Sequence, residues 1–144
     1  FDAQFNTNVK GAYFTLQQLL PHLTDAASVI FTSSTNATAA ALGSSVYSAT
    51  KGALNKIAQV AANELASRKI RVNVVSPGPT ETPGLDYAVP NEAKGYLASI
   101  TALQRLAQPT EIAQVVLFLA SEDASFISGT EIIADGGLLN FATK

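Results

Sequence analysis

Ser28-Val29-Ile30-Phe31-Thr32-Ser33-Ser34 leads, through a loop of small residues ending near Ser45, into Val46-Tyr47-Ser48-Ala49-Thr50-Lys51. The first run is short, apolar and β-rich, and it is followed by small loop residues, so it reads as a buried strand over Ser28–Thr32. From Val46 to about Ser67 the period changes. Ala49, Ala53, Leu54, Ile57, Ala61 and Leu65 recur at helical spacing. Arg71–Val75, RVNVV, is a second short β-rich run. Strand, helix, strand in this order is the unit from which parallel sheets are built.

Working outward, the same alternation continues. Upstream, Phe5, Val9, Ala12, Tyr13, Leu16, Leu19 and Leu20 give Phe1–Leu23 helical spacing, with Pro21 near its end. Downstream, Pro77-Gly78-Pro79 breaks the chain. Thr80–Arg105 carries Pro83 and Pro90 and reads as a loop with one short helix. Thr110 is the expected N-cap of a helix through Glu111, Ile112, Val115, Val116 and Leu119. Glu131–Ala134 is a last strand, closed by Asp135-Gly136-Gly137. The fold class is therefore α/β: three parallel strands with helices on both faces. Ligands in such sheets sit beyond the C-terminal strand ends. Here those ends are Ser33-Ser34, Ser76-Pro77-Gly78 and Asp135-Gly136.

Composition narrows the chemistry. The 144 residues are 47% hydrophobic and only 14% charged, a globular balance sized for one domain. The net charge of −2 and the lack of a basic block speak against nucleic acid or an anionic membrane as partner. Without cysteine there is no disulfide, thiolate metal site or thiol nucleophile, and the one histidine, His22, cannot build a multi-histidine metal site. His22 reads instead as a surface or helix-end residue. No apolar run is long enough to span a bilayer, and Phe1–Asn8 has no signal-peptide character, so a cytoplasmic protein is expected by default. The chain has no methionine, so Phe1 is expected not to be a natural start and the chain to be a fragment or processed piece.

The chemistry points to Tyr47 and Lys51. Four residues apart on a helix, they share a face. A tyrosine is a poor base at neutral pH. A lysine ammonium about 4 Å from a phenolate, at an effective dielectric near 20, is worth about 4 kcal/mol. That brings a phenol into the range where acid–base catalysis works.

With Ser34 thirteen residues before Tyr47, the chain resembles the short-chain dehydrogenase/reductase family. The resembling segments are Ser33-Ser34, Tyr47-Ser48-Ala49-Thr50-Lys51, Asn8-Val9-Lys10-Gly11, Val72 through Gly78 with Thr82, Leu119-Ala120-Ser121, Ser128-Gly129 and Asp135-Gly136-Gly137. They follow the family's order over essentially the whole chain and correspond to its second half. The resemblance implies a Rossmann-like doubly wound parallel sheet, of which residues 1–144 are the C-terminal, catalytic portion. The family's Gly-rich turn, which binds the pyrophosphate, has no counterpart in the sequence. Ser28–Thr32 is accordingly expected to have an unpaired edge.

The resemblance further implies hydride transfer between NAD or NADP and a small organic carbonyl or alcohol. Tyr47 is then the general acid/base, and Ser34 holds the substrate oxygen. Lys51 tunes the phenol and bonds the nicotinamide ribose. Asn8 holds a water that passes protons to Lys51. Cofactor contacts fall to Tyr47, Lys51, Pro77, Gly78, Thr80 and Thr82, and substrate contacts to Ser34, Asn36 and Tyr47. Asp135 more simply orders its turn. Specificity is expected from Asn36–Ala41 and from a mobile Thr80–Arg105 segment lined by Tyr87, Val89, Tyr96, Leu97 and Ile100. Helices 1–23 and 46–67 are expected to make a homodimer or homotetramer contact through Ala12, Leu16, Leu19, Ala58, Ala62 and Leu65. A silent partner subunit, or a truncated product inactive alone, is the alternative from another class.

Overall fold

The structure, a computed structural model, describes residues 1–140 and contains one parallel sheet. β1 (Ser28–Thr32), β2 (Arg71–Pro77) and β3 (Glu131–Ala134) lie in the order β1-β2-β3. Ser28 to Thr32 face Arg71 to Val75, and Val74 to Pro77 face Glu131 to Ala134. The central strand is buried from Val72 through Ser76, which is why RVNVV shows no polar alternation. Among the described residues no strand pairs with the far side of β1, so its edge is open as expected.

Helices cover both faces. On one, α2 (Ala12–Leu19) and α3 (Ser45–Glu64) pack toward the sheet, with α1 (Asp2–Phe5) against α3. Phe31, Val72 and Val74 meet Leu54, Ala58, Ala61 and Ala62, with Ala12 and Leu16 beside them. The three alanines let α3 lie close to β2. On the other face, α6 (Pro109–Ala120) packs Leu119, Ile112, Val115 and Val116 on Ile30, Val75 and Ile132. The carbonyls at the C-terminal end of α6 are satisfied from below. Leu119 O accepts from Ser28 Oγ at 2.9 Å and from Arg71 Nη1 at 2.9 Å.

Four expectations are corrected. Phe1–Leu23 is one helical path but not one regular helix. Asn6–Gly11 is a π-helical turn and Leu20–His22 a 3-10 turn. Thr80–Arg105 holds two helices, α4 (Pro83–Ala88) and α5 (Asn91–Ser99), because Pro83 and Pro90 each sit at a start, where a missing N–H costs nothing. The N-cap of α6 is Gln108, not Thr110. Pro109 takes the first helical position, and Glu111 accepts from Gln108 N at 2.8 Å. The apolar helix faces also point the other way. Ala58 and Ala62 are buried in the core, and Ala12, Leu16 and Leu65 pack against it. The apolar stripe seeks the sheet first, and the aromatic and apolar residues left outside are Phe1, Tyr13, Phe14, Leu19 and Val60.

The accessible surface is 8771 Å². A monomer of 15.0 kDa exposes roughly 7,000 Å². The surplus marks a sheet and helices with faces still to be covered.

Candidate active site

Parallel strands deliver β1 and β2 to the same end of the sheet, and the loop after β1 meets the N-terminal part of α3. The residues singled out from the sequence converge there. Tyr47 and Lys51 sit one turn apart on α3, with Lys51 Nζ 5.6 Å from the centroid of the Tyr47 ring. Lys51 Nζ donates to Thr32 O, the last residue of β1, at 3.0 Å. Burial lowers the pKa of Lys51 from its ordinary value, because the charged form loses hydration.

Ser34 has extended backbone (φ −164°, ψ 152°) and caps a short 3-10 turn over Thr35–Ala37. Its Oγ accepts from Asn36 N at 3.2 Å, which leaves the hydroxyl hydrogen free to be donated. Its neighbour Ser33 is buried, and its hydroxyl donates to Lys51 O at 3.3 Å. The two serines thus divide the work: Ser33 ties the loop to α3, and half-buried Ser34 is the one with a hydroxyl to offer.

Asn8 lies in the π-helical turn. Its Nδ2 donates to Thr50 Oγ1 at 3.1 Å, and Thr50 Oγ1 donates to Tyr47 O at 2.7 Å. The first helical path is therefore linked to the Tyr47 backbone through one hydroxyl. Sequence reading missed Thr50, a fully buried β-branched residue inside the Tyr47–Lys51 segment. It also missed the π turn, which widens the helix at Asn8. Gly11 was its signal, since a Cβ there would lie only 3.3 Å from Asn6 O. Such turns recur at functional sites.

Pro77 and Gly78 end β2 against the end of β3. A Cβ at Gly78 would fall 2.7 Å from Asp135 Cα, so only glycine permits this approach. Asp135 orders its turn as expected, accepting from Gly137 N at 2.8 Å and Leu139 N at 2.9 Å. Thr80 Oγ1 donates to Gly78 O at 2.9 Å, and Thr82 Oγ1 accepts from Leu85 N at 3.1 Å as the N-cap of α4. Ala107 N donates to Pro79 O and Glu81 N to Ala107 O, both at 2.9 Å. This closes a stem under the whole segment between Glu81 and Ala107. A separate hollow of about 340 Å³ lies between α6 and the end of β3, lined by Arg105, Glu111, Ile112 and Val115 among others. It touches none of Asn8, Ser34, Tyr47 or Lys51.

The donors at this end of the sheet suit the nicotinamide–ribose end of a dinucleotide. An ammonium and a phenol one helical turn apart match a ribose diol and a carbonyl oxygen.

Comparison with known proteins agrees in fold over almost the whole of this chain. A family model described as enoyl-(acyl carrier protein) reductase matches residues 1–139. An uncharacterized oxidoreductase of Methylorubrum extorquens is 47% identical over 136 residues, covering 93% of this chain and 55% of that protein. The 3-oxoacyl-[acyl-carrier-protein] reductase of Thermotoga maritima is 37% identical over 141 residues, covering 96% and 57%. Among solved structures, a short-chain dehydrogenase/reductase from Brucella melitensis superposes with a TM-score of 0.88 at 34% identity, covering 96% of this chain and 55% of that one. An angucycline C-6 ketoreductase solved with bound NADP gives 0.86 at 38% identity, covering 92% and 51%. The chain spans about half the length of the relatives it matches.

Proposed function

Because this chain belongs to the short-chain dehydrogenase/reductase family, an oxidoreductase family, we propose that residues 1–144 are the catalytic portion of an enzyme that interconverts a small organic carbonyl and its alcohol with NAD or NADP. The observation that carries this reading is the convergence of Ser34, Tyr47 and Lys51 at one sheet end, with Lys51 held to the end of β1 and Asn8 linked to Tyr47 through Thr50.

In this reading Tyr47 donates a proton to the carbonyl oxygen in reduction and takes one from the hydroxyl in oxidation. Ser34 donates a second hydrogen bond to that oxygen. Two donors aimed at a developing alkoxide stabilise it where the charge forms. Lys51 keeps a cation beside the phenol and offers a hydrogen bond to a ribose hydroxyl. Its lowered pKa makes it readier to pass a proton on. Asn8 holds the water through which that proton reaches solvent. Asn36 contacts the substrate, and Pro77, Gly78, Thr80 and Thr82 hold the nicotinamide end. When bound, NAD(P) supplies the carbon that gives or takes the hydride. None of the described helices is long and apolar enough to cross a membrane, and a cytoplasmic location fits this chemistry.

The test uses the chain completed with a Gly-rich first half, from its own upstream sequence where the gene carries one or from the Methylorubrum relative. Tyr47→Phe keeps the ring and removes one oxygen. Turnover should fall by about 10²–10⁴-fold, the share that acid–base catalysis supplies, while cofactor affinity stays within a few-fold. Retention of more than about a tenth of parental turnover, well short of that loss, overturns the assignment. The exposed Tyr13, Phe14, Leu19 and Val60 support a homodimer or homotetramer through α1–α2 and α3. Sedimentation of the completed chain should give a dimer or larger, and a monomer at micromolar concentration rejects it.

A further inference from the structure

From the charges around the proposed site we infer that its substrate is a neutral, apolar carbonyl compound and not a carboxylate, a phosphate or an acyl group on a phosphopantetheine arm. This rests on the function proposed above and specifies its substrate.

The argument is a census of cations. Of the nine Lys and Arg residues, Arg68, Lys69 and Arg71 lie at the start of β2, the opposite end of the sheet. Lys56 is farther along α3 and donates to Gln59 Oε1 at 2.7 Å. Lys10, two residues from Asn8, turns away from it into an outward hollow lined by Phe5, Val9, Tyr13 and Ile57. Lys144 lies outside the described residues. That leaves Lys51, Lys94 and Arg105 at the end where substrate enters.

Each of the three already has a partner. Lys51 is held by Thr32 O and lies over the Tyr47 ring, and in the proposed function its remaining reach goes to the ribose. Lys94 pairs with Asp86 between α4 and α5. Arg105 is held by both carboxylate oxygens of Glu111 at 2.7 Å. Between Thr80 and Arg105 the acids Glu81, Asp86 and Glu92 outnumber the bases Lys94 and Arg105, and residues 33–50 carry no charge at all. Among the described residues an anion placed here meets no unpaired cation and a net negative rim, so it keeps its desolvation cost.

What the same end does present is apolar. Leu42, in the loop after Ser34, is fully exposed. Tyr87 on α4 is 96% exposed and Tyr96 on α5 is 66% exposed. Both loops leave the C-terminal ends of adjacent parallel strands, so these exposed side chains belong to loops at one end of the sheet. Two exposed phenol rings and a leucine suit a flat or alicyclic body.

The experiment compares ethyl benzoylformate with benzoylformate on the completed chain, with NADH and NADPH. The two share the ketone and ring and differ in one charge. The ester should exceed the acid in kcat/KM by at least about tenfold, the equivalent of one unpaired buried charge at its cheapest. Asp86→Asn frees Lys94, and it should shift the acid-to-ester ratio toward the acid by about two- to fivefold, the size of an exposed charge interaction. Ligand-observed NMR on Tyr47→Phe loaded with oxidised cofactor should show the ester binding and the acid not, independently of turnover. An acid turned over as well as the ester, or bound as well by the variant, overturns the substrate class and leaves the hydride-transfer function standing. Cofactor binding with no turnover of either compound, and no binding of either, removes both.

Discussion

The helix α3 and the pair α4–α5 both follow the C-terminal ends of strands, and in the proposed function one carries the proton chemistry and the other covers the substrate, yet they are built in opposite ways. α3 runs for 20 residues and buries Thr50, Leu54, Ala58, Ala61 and Ala62 against β1 and β2. α4 and α5 run for 6 and 9 residues and bury none. Around α4–α5 the holding contacts are the stem of Pro79 and Glu81 with Ala107, the Asp86–Lys94 pair, and Thr101, whose hydroxyl donates to Ala98 O at 2.9 Å and accepts from Arg105 N at 3.3 Å. Proton chemistry tolerates little misplacement, so it belongs on an element fixed by packing. Selection among substrates tolerates a cover that shifts or opens without unfolding what lies beneath.

This contrast can be broken by one pair of substitutions. Leu54→Ala removes a side chain that is 3% exposed from the contact between α3 and the sheet. It should cost about 2–5 kcal/mol, as large-to-small changes in a close-packed core do. Because Lys51 sits one turn away, turnover should fall as well. Tyr96→Ser on α5 should change stability by no more than about 0.5 kcal/mol. Its effect should be a raised KM for the apolar ketone with kcat retained. Urea unfolding and steady-state kinetics on the completed chain separate the two. Equal losses of stability would mean that the cover is part of the core. A fall in kcat for Tyr96→Ser would mean that the cover shapes the reacting geometry.

The same contrast explains what the sequence revealed. β1, α3 and β2 were legible because burial on both faces of a strand and on one stripe of a helix leaves a strong periodic trace. Tyr47 and Lys51 stood out as a pair on one helix face, while Ser34 came only with the family resemblance, by its spacing of thirteen residues before Tyr47. Direction was harder to read. Ala58 and Ala62 looked available to another subunit, because an apolar stripe has the same period whether it meets a sheet or a partner. The cover left a weak trace, for a segment with no buried residue has no period to show. Its two helices were marked only by Pro83 and Pro90. The π turn at Asn8 was hidden because a single inserted residue leaves helical spacing nearly intact, and the Thr50 link was hidden because it depends on two segments meeting in space.

One tie between the α4–α5 segment and the sheet's helices lies at its exit, where Arg105 forks onto Glu111 in the first turn of α6. Glu111 also accepts from Gln108 N, so its carboxylate is held by the guanidinium and by a backbone N–H together. These contacts lower its pKa from the ordinary 4.5 to about 2. A carboxyl depressed in the folded state adds stability above its unfolded value. That contribution fades as pH falls through the folded one. The parent should therefore exceed Glu111→Gln in Tm by a small margin at neutral pH. The margin should begin to shrink below about pH 4.5 and be gone near pH 2. The pair is exposed on both sides, so salt should narrow the margin at neutral pH. The glutamine still accepts from Gln108 N, so the cap of α6 persists and only the charge is tested. Thermal scans of both proteins across that range, at low and high salt, measure it. A margin independent of pH would make the contact one of shape rather than charge. A fall in kcat at neutral pH would mean that this exit, unlike the rest of the cover, reaches the chemistry on α3.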